Sequence, residues 1–356
     1  MPDDITAYRV DVPEAALIDL RDRLRRTRWP EAETVEGWTQ GVPLAYLQDL
    51  CRYWAEQYDW RAAESRLNAV PQYRSEVDGL RIHFLHRRSP HPGALPLVLT
   101  HGWPGSVLEF LEVVGPLTDP VAHGGAATDA WAALMARLGY DRYGAAGSDW
   151  GTSISSVLGQ RHAGHLAGIH LVPPLAAPDP TTLGDLTGAE RAALADLRQR
   201  SERESAYSEQ HRTKPQTIGY ALLDSPAGLC AWIVEKLWTW TDHDTAVDAA
   251  LTREQVLDTV TLYWVTGTGA SSARLYWESI ERVSRWMADP VPDVVGVPTG
   301  CSIFPAEVPR PSRRWAARRY PDIRYWREHD RGGHFAAVEA PELLIADLRA
   351  FFRLVR

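Results

Sequence analysis

Four short stretches carry the residue types best suited to chemistry. The first, Gly147-Ser148-Asp149-Trp150-Gly151, lies between a strand pattern, Tyr143 to Ser148, and a helical pattern that starts at Gly151. A tight strand-to-helix turn strains its central residue and crowds it with backbone, so its flanks must be small; Gly147 and Gly151 supply that. The central residue is Asp149, where hydroxyl-based hydrolases carry Ser. A carboxylate there needs no deprotonation at neutral pH to act as a nucleophile, and the ester it forms can later be hydrolysed. An Asp ahead of a helix also serves commonly as an N-cap, so the pentapeptide by itself leaves both roles open.

The other three stretches favour the nucleophile. His101-Gly102-Trp103-Pro104 follows the apolar run Leu97-Val98-Leu99-Thr100. A loop of this kind can turn backbone N–H groups toward the elbow, and the N–H groups of Trp103 and Trp150 would form an oxyanion hole. Their indoles are also the expected substrate contacts. Phe304-Pro305-Ala306-Glu307 ends a later strand, and Arg331-Gly332-Gly333-His334-Phe335 places a His on a Gly-rich loop before the last helix. The chain order Asp149, Glu307, His334 is nucleophile, acid, base, as in the α/β-hydrolase fold. Ser148 is one position off the elbow centre, which disfavours a serine hydrolase. His162, His165 and His170 crowd one region with a spacing that suits no common metal site, and we read them as structural.

The elements that must hold these groups read as an α/β fold with a mostly parallel sheet flanked by helices. Residues 1–72 look helical and irregular: Leu17, Leu20 and Leu24 form one stripe after Pro13, and Leu44, Leu47, Cys51 and Trp54 a second. We expect an amino-terminal appendage here. Residues 73–176 read as the first part of the core. They hold a hairpin from Tyr73 to Leu85 turning at Asp78-Gly79, the strands at 97–100, 143–148 and 168–172, and helices at about 107–117 and 130–138. Residues 177–290 turn polar and helical, with charged runs and an aromatic block from Trp232 to Trp240, and form a candidate cap. Strand signals resume in 291–356 at Val294–Val297, Cys301–Phe304 and Ile323–Trp326, before a final helix from Pro341.

Composition sets outer limits. The 356 residues are 45% hydrophobic, enough for one large core plus an inserted subdomain. A net charge of -8 and a pI near 5.9 argue against nucleic-acid binding. Arg310, Arg313, Arg314, Arg318 and Arg319 make one basic cluster, most simply a solvated helix face. Cys51, Cys230 and Cys301 lie far apart with no CxxC, which fits a reduced compartment. No apolar run approaches the roughly 20 residues of a membrane helix, and no signal peptide is visible. The expectation is a soluble, cytoplasmic protein. Most of the 15 Trp residues should fill cores, while those of the cap could line an apolar pocket.

The motifs together resemble epoxide hydrolases of the microsomal type over nearly the whole chain. Besides the elbow and the His-Gly-Trp-Pro-Gly, Phe-Pro-Ala-Glu and Gly-Gly-His-Phe stretches, the resemblance rests on three more. These are Arg-Thr-Arg-Trp-Pro at 26–30, Thr-Lys-Pro-Gln-Thr at 213–217 and Asp-Ser-Pro-Ala-Gly-Leu at 224–229. The resemblance implies two cap tyrosines that bind and protonate the epoxide oxygen: Tyr207, seven residues before Lys214, and Tyr276, in Ser-Ser-Ala-Arg-Leu-Tyr at 271–276. A phenol, with an ordinary pKa near ~10, can donate a strong hydrogen bond without ionising at neutral pH. The implied reaction opens an epoxide with water to a vicinal diol through an ester on Asp149, in detoxification or secondary metabolism. It needs a small-molecule epoxide and no metal, cofactor, nucleic acid or membrane; a homodimer is left open. The alternatives are a haloalkane dehalogenase-like enzyme, which has no need of paired tyrosines, and a non-catalytic binding protein on the same scaffold, which should have lost a catalytic residue.

One departure affects the fold. The resemblance implies a strand that comes between 97–100 and 143–148 in the chain and lies in the sheet between the hairpin and the 97–100 strand, followed by a loop reading Pro-Gly-Tyr-Gly-Phe-Ser. Nothing in Pro116–Trp131 matches it, so about 30 residues, one crossover unit, are missing near Ala126–Trp131. Either a segment is omitted from the sequence or the deletion is genuine. The loss should break the sheet or force the hairpin to slide across.

Overall fold

The computed structural model describes residues 5–77, 79–118, 128–243, 250–289 and 293–356. Strand β1 (Ile5–Tyr8) pairs antiparallel with β2 (Gln72–Val77), which pairs antiparallel with β3 (Leu80–Leu85). The amino-terminal segment is therefore not wholly helical, as its stripes suggest; four residues too short to show a period add an edge strand to the hairpin. In β2, Tyr73, Ser75 and Val77 turn inward and Arg74 and Glu76 outward, the alternation of a half-buried strand. Gly79 of the hairpin turn has φ 77°; its neighbour Asp78 lies outside the described residues.

The second sheet is parallel, in the order β4 (Leu97–Thr100), β5 (Tyr143–Ser148), β6 (Leu166–Val172), β7 (Thr299–Ile303), β8 (Ile323–Glu328). Both faces are covered. Val98, Ala145, Ile169 and Leu171 meet the helices Thr128–Arg137, Trp150–Arg161 and Arg313–Arg319. Leu97, Leu99, Ala146 and Val172 meet Val113 and Leu117 on one helix and Leu344, Leu348, Phe351 and Phe352 on the last. Close docking of that last helix explains three strand glycines. A Cβ at Gly144 would lie 2.3 Å from Phe352 Cε1, and at Gly300 2.6 Å from Phe351 Cγ; Gly168 faces the Phe351 ring in the same way. Burying a side chain such as Phe351 contributes roughly 2–3 kcal/mol.

Two expectations fail. Val294–Val297 forms no strand: Val295 N–H donates to Arg319 O, and Pro298, which has no N–H to give a ladder, delays β7 to Thr299. The arginine cluster is a solvated face only in part, with Arg313 and Arg314 exposed. Arg319 is fully buried with its guanidinium 4.3 Å from the Trp286 ring centroid, Arg314 forks onto Glu190, and Arg310 pairs with Asp196. The flat guanidinium stacks and forks where an ammonium would need water.

The interior strand has no counterpart among the described residues. Residues 119–127 lie outside them, and with them Ala126 and Ala127 of the Ala126–Trp131 expectation; from Thr128 the chain is helical. Among the described residues the antiparallel and parallel sheets share no strand pairing. The 128–137 helix lends Trp131, Leu134 and Met135 to a cluster that also holds Val77, Ile82 and Phe84 of the hairpin and Val98 of β4.

These sheets belong to one compact unit, residues 1–9, 67–202 and 281–356; residues 10–66 and 203–280 form another. The second is helical. Its helix Leu44–Glu56 and the residues just after it join the helix Arg253–Thr266 through buried polar links. Trp54 Nε1 donates to Thr261 Oγ1 at 2.9 Å and Tyr58 OH to Asp258 at 2.7 Å, while Trp38 stacks on Trp238 at 4.7 Å. No single described helix is long and apolar enough to cross a membrane. The bent pair Pro215–Asp224 and Pro226–Trp240 passes on composition alone, and Leu229, Cys230, Ile233 and Val234 of it are core residues.

Candidate active site

The candidate residues of the α/β unit all follow the carboxyl ends of parallel strands, where open α/β sheets collect their ligands. His101 to Gly105 follow β4, Asp149 follows β5, Glu307 follows β7 and His334 follows β8.

Asp149 has φ 51° and ψ -122°, and is the one non-glycine residue with positive φ among the described residues. Such a conformation costs on the order of 1–3 kcal/mol and persists only where its surroundings impose it. They do: a Cβ at Gly147 would lie 2.2 Å from the Gly151 carbonyl carbon, and one at Gly151 2.0 Å from Thr100 O. The side chain takes neither the second nor the third N–H of its helix, the bonds that define an N-cap, which removes the capping role. Instead its carboxylate accepts from the Trp103 N–H, at 2.8 Å to Oδ1, and from the Trp150 N–H. A Cβ at Gly102 would fall 2.1 Å from Oδ1, so glycine there admits the carboxylate.

His334 faces the other oxygen, Nε2 standing 3.6 Å from Asp149 Oδ2, too far for a hydrogen bond. Its Nδ1 meets both Glu307 oxygens, at 2.9 and 3.0 Å. Glu307 is buried and accepts the Val308 N–H at 2.8 Å. The two loops are tied by Ala306 N–H to Gly332 O at 3.2 Å. Gly332 has φ 99°, and a Cβ there would meet the Phe304 ring at 2.8 Å. Burial works against a charged His334, but the Glu307 carboxylate and then the Asp149 charge outweigh it and push the imidazole up to about 9. Burial raises the Asp149 carboxyl, opposed first by His334 and then by the two N–H groups.

Tyr207 and Tyr276 lie together in the helical unit, their ring centroids 5.6 Å apart and edge-on. His211 packs against both, at 5.8 and 5.0 Å, and accepts the Trp232 indole N–H at Nε2, 3.0 Å away. The buried Lys236 ammonium sits 4.8 Å from the Tyr207 ring centroid. Among the three clustered histidines, His170 is buried beside Ser302 and His165 bonds Asp141 O. No group of three potential metal ligands occurs among the described residues.

Sequence reasoning overlooked Glu109. It is buried, its Oε1 accepts the Ser106 N–H at 3.0 Å, and burial pushes its carboxyl up to about 8. The signal was present, because Ser106-x-x-Glu109 is a capping-box pattern.

This is the fold of an α/β hydrolase, with an aspartate at the strand-to-helix turn. The chain belongs to the epoxide hydrolase family. Residues 5–110 match the family model "Epoxide hydrolase N terminus". A putative epoxide hydrolase of Stigmatella aurantiaca is 47% identical over 99% of this chain and 86% of that protein, and epoxide hydrolase 1 of Sus scrofa is 32% identical over 99% and 89%. The first alignment runs over 383 positions, so at least 27 of them have no residue among the 356 of this chain. Among solved structures, the epoxide hydrolase of Aspergillus niger aligns with a TM-score of 0.87 at 28% identity, covering 99% of this chain and 96% of that one. The juvenile hormone epoxide hydrolase of Bombyx mori aligns with 0.87 at 28%, covering 98% and 95%.

Proposed function

We propose that this chain adds water across an epoxide to give a vicinal diol, with Asp149 as the alkylated nucleophile, His334 as the base oriented by Glu307, and Tyr207 and Tyr276 as proton donors to the epoxide oxygen. The observation that carries the reading is the division of labour on Asp149: backbone N–H groups hold the carboxylate on one side while Oδ2 faces the imidazole.

In the first half, a carboxylate oxygen attacks an epoxide carbon. The C–O bond breaks and the departing oxygen takes a proton from a tyrosine, leaving a hydroxyalkyl ester on Asp149. In the second, His334 Nε2 takes a proton from water, the hydroxide adds to Asp149 Cγ, and the tetrahedral oxyanion settles on the N–H groups of Trp103 and Trp150. One such donor is worth about 2.7–4 kcal/mol in related chemistry. Collapse breaks the ester C–O bond, the leaving alkoxide takes the proton of the added hydroxyl, and the diol departs from a restored carboxylate. The proton that His334 sheds on alkylation replaces the one the tyrosine gave, and the water proton returns His334 to its resting state. Alkylation also switches the base: with its imidazole pushed to about 9, the resting His334 carries a proton at neutral pH. Esterification removes the Asp149 charge that helps hold the proton, so the proton leaves when a base is needed. Ester hydrolysis should therefore inflect below pH 9, which its rate measured across pH will check.

The helical segment 177–290 acts as the cap, and its Trp and Tyr residues favour a bulky apolar or aromatic epoxide. Three buried free thiols suit a reducing, cytoplasmic setting. The decisive experiment is a single turnover in oxygen-18 water. Label entering the Asp149 carboxylate, with none in the first diol released, supports the ester; label wholly in the diol, or full activity in Asp149→Asn, refutes it.

A further inference from the structure

The loop at 101–105 is gripped at both ends by a carboxyl group. At its start, Gly102 leaves room for Asp149, and Trp103 N–H donates to it. At its end, Gly105 leaves room for Glu109: a Cβ there would fall 1.5 Å from Glu109 Oε1, and the same oxygen accepts the next N–H, that of Ser106. Ser106 Oγ accepts the Leu108 N–H at 3.2 Å, which closes the turn. Capping boxes ordinarily lie at solvated helix ends; here both Ser106 and Glu109 are buried.

An amide would close the same box without the cost of burying an ionisable group. What a carboxyl adds is a proton to lose, in a place where charge matters. The titratable groups around it come from three other elements: His334 from the loop after β8, Asp149 from the elbow, and Glu339 from the helix Ala336–Glu339, whose carboxylate accepts the Phe335 N–H beside His334 at 2.9 Å.

We propose that Glu109 is a positioning residue of the epoxide hydrolase reaction, which fixes the turn presenting the Trp103 N–H to Asp149 and must keep its own proton for His334 to act as a base. The proposal rests on the roles given above to Asp149, Trp103 and His334. The sign of the pH effect follows from burial, which holds the Glu109 carboxyl neutral up to about pH 8. Above that it ionises and becomes a further carboxylate around one imidazole. It then holds the proton on His334, and ester hydrolysis slows.

The test compares wild type with Glu109→Leu and Glu109→Gln, measuring steady-state and single-turnover rates from pH 6 to 10 beside melting temperatures. Glu109→Leu removes the acceptor of the Ser106 N–H, and kcat should fall at least tenfold with KM within threefold. Glu109→Gln keeps the acceptor and cannot ionise. It should restore kcat to within threefold and abolish the decline near pH 8, a change that a purely structural cap would not produce. A pH profile for Glu109→Gln identical to wild type overturns the proposal, and so does Glu109→Leu with kcat within twofold. If Glu109→Leu does not fold, the Gln profile still decides. Asp149→Asn in the same series separates the two failures: if it keeps full activity, the functional reading falls, whereas an inert Asp149→Asn with an unchanged Gln profile removes only the role of Glu109.

Discussion

The elbow of the α/β unit and the tyrosine cluster of the helical unit hold their functional groups in opposite ways. Asp149 is placed by backbone: a positive φ, glycines whose missing Cβ atoms admit neighbours, and N–H groups on its carboxylate. Tyr207 and Tyr276 are placed by side chains packed edge to face among His211, Trp240 and Lys236. Backbone placement is stiff and tolerates few substitutions. Side-chain placement rests on packing, which redistributes around a change. The elbow should therefore fail steeply and the cluster by degrees.

The largest effect is expected at the charge that orients the base. Glu307→Gln leaves His334 without its carboxylate, and losing the corresponding group in related triads costs about 10⁴-fold. Because the base serves only the second half-reaction, the Asp149 ester should accumulate and be visible by mass spectrometry of intact protein. Next comes Gly102→Ala, whose Cβ would occupy the place of Asp149 Oδ1. It should lose at least the roughly 10²–10³-fold of a missing oxyanion donor, with both half-reactions slowed in rapid-quench assays. A loss under tenfold would show the elbow to be less rigid than its glycines indicate.

Tyr207→Phe should cost about 10²-fold in epoxide opening, at the lower end of general-acid effects, because Tyr276 still donates. Tyr276→Phe should match it, and the double variant should fall much further. A tyrosine pair whose double variant merely equals one single variant would be acting as a rigid unit, like the elbow. The smallest effect lies far from chemistry. Trp54→Phe strips the buried Thr261 hydroxyl of its donor and should cost about 1–3 kcal/mol, read as a lower melting temperature with kcat unchanged.

The same contrast explains what could be read from the chain. The elbow, the His-Gly-Trp-Pro loop and the His334 loop were legible because backbone-built sites need glycine at fixed offsets, and glycine spacing survives in one dimension. Glu307, in a stretch without glycine, was legible from its place at a strand end and its order between Asp149 and His334. Tyr207 and Tyr276 were found by motif position only; nothing in their local pattern sets them apart among 13 tyrosines. β1 is too short to show a period, and Val294–Val297 has the composition of a strand with no partner to ladder against. The arginines of 310–319 read as solvated because sequence does not reveal that Trp286, Glu190 and Asp196 would come to meet them.

By itself, the sequence determined that Asp149 stands at the centre of a tight turn, in chain order with an acid and a base. Small residues at fixed spacing and the order of motifs are local properties, and local sterics decide them. Only the tertiary structure decided that Asp149 is no helix cap, that Gly102 and Gly105 make room for two different carboxyls, and that Glu109 is buried within reach of the charges of His334 and Asp149. Those depend on which backbones approach within a few ångströms and which groups lose their water, and both are set by packing between segments distant in the chain.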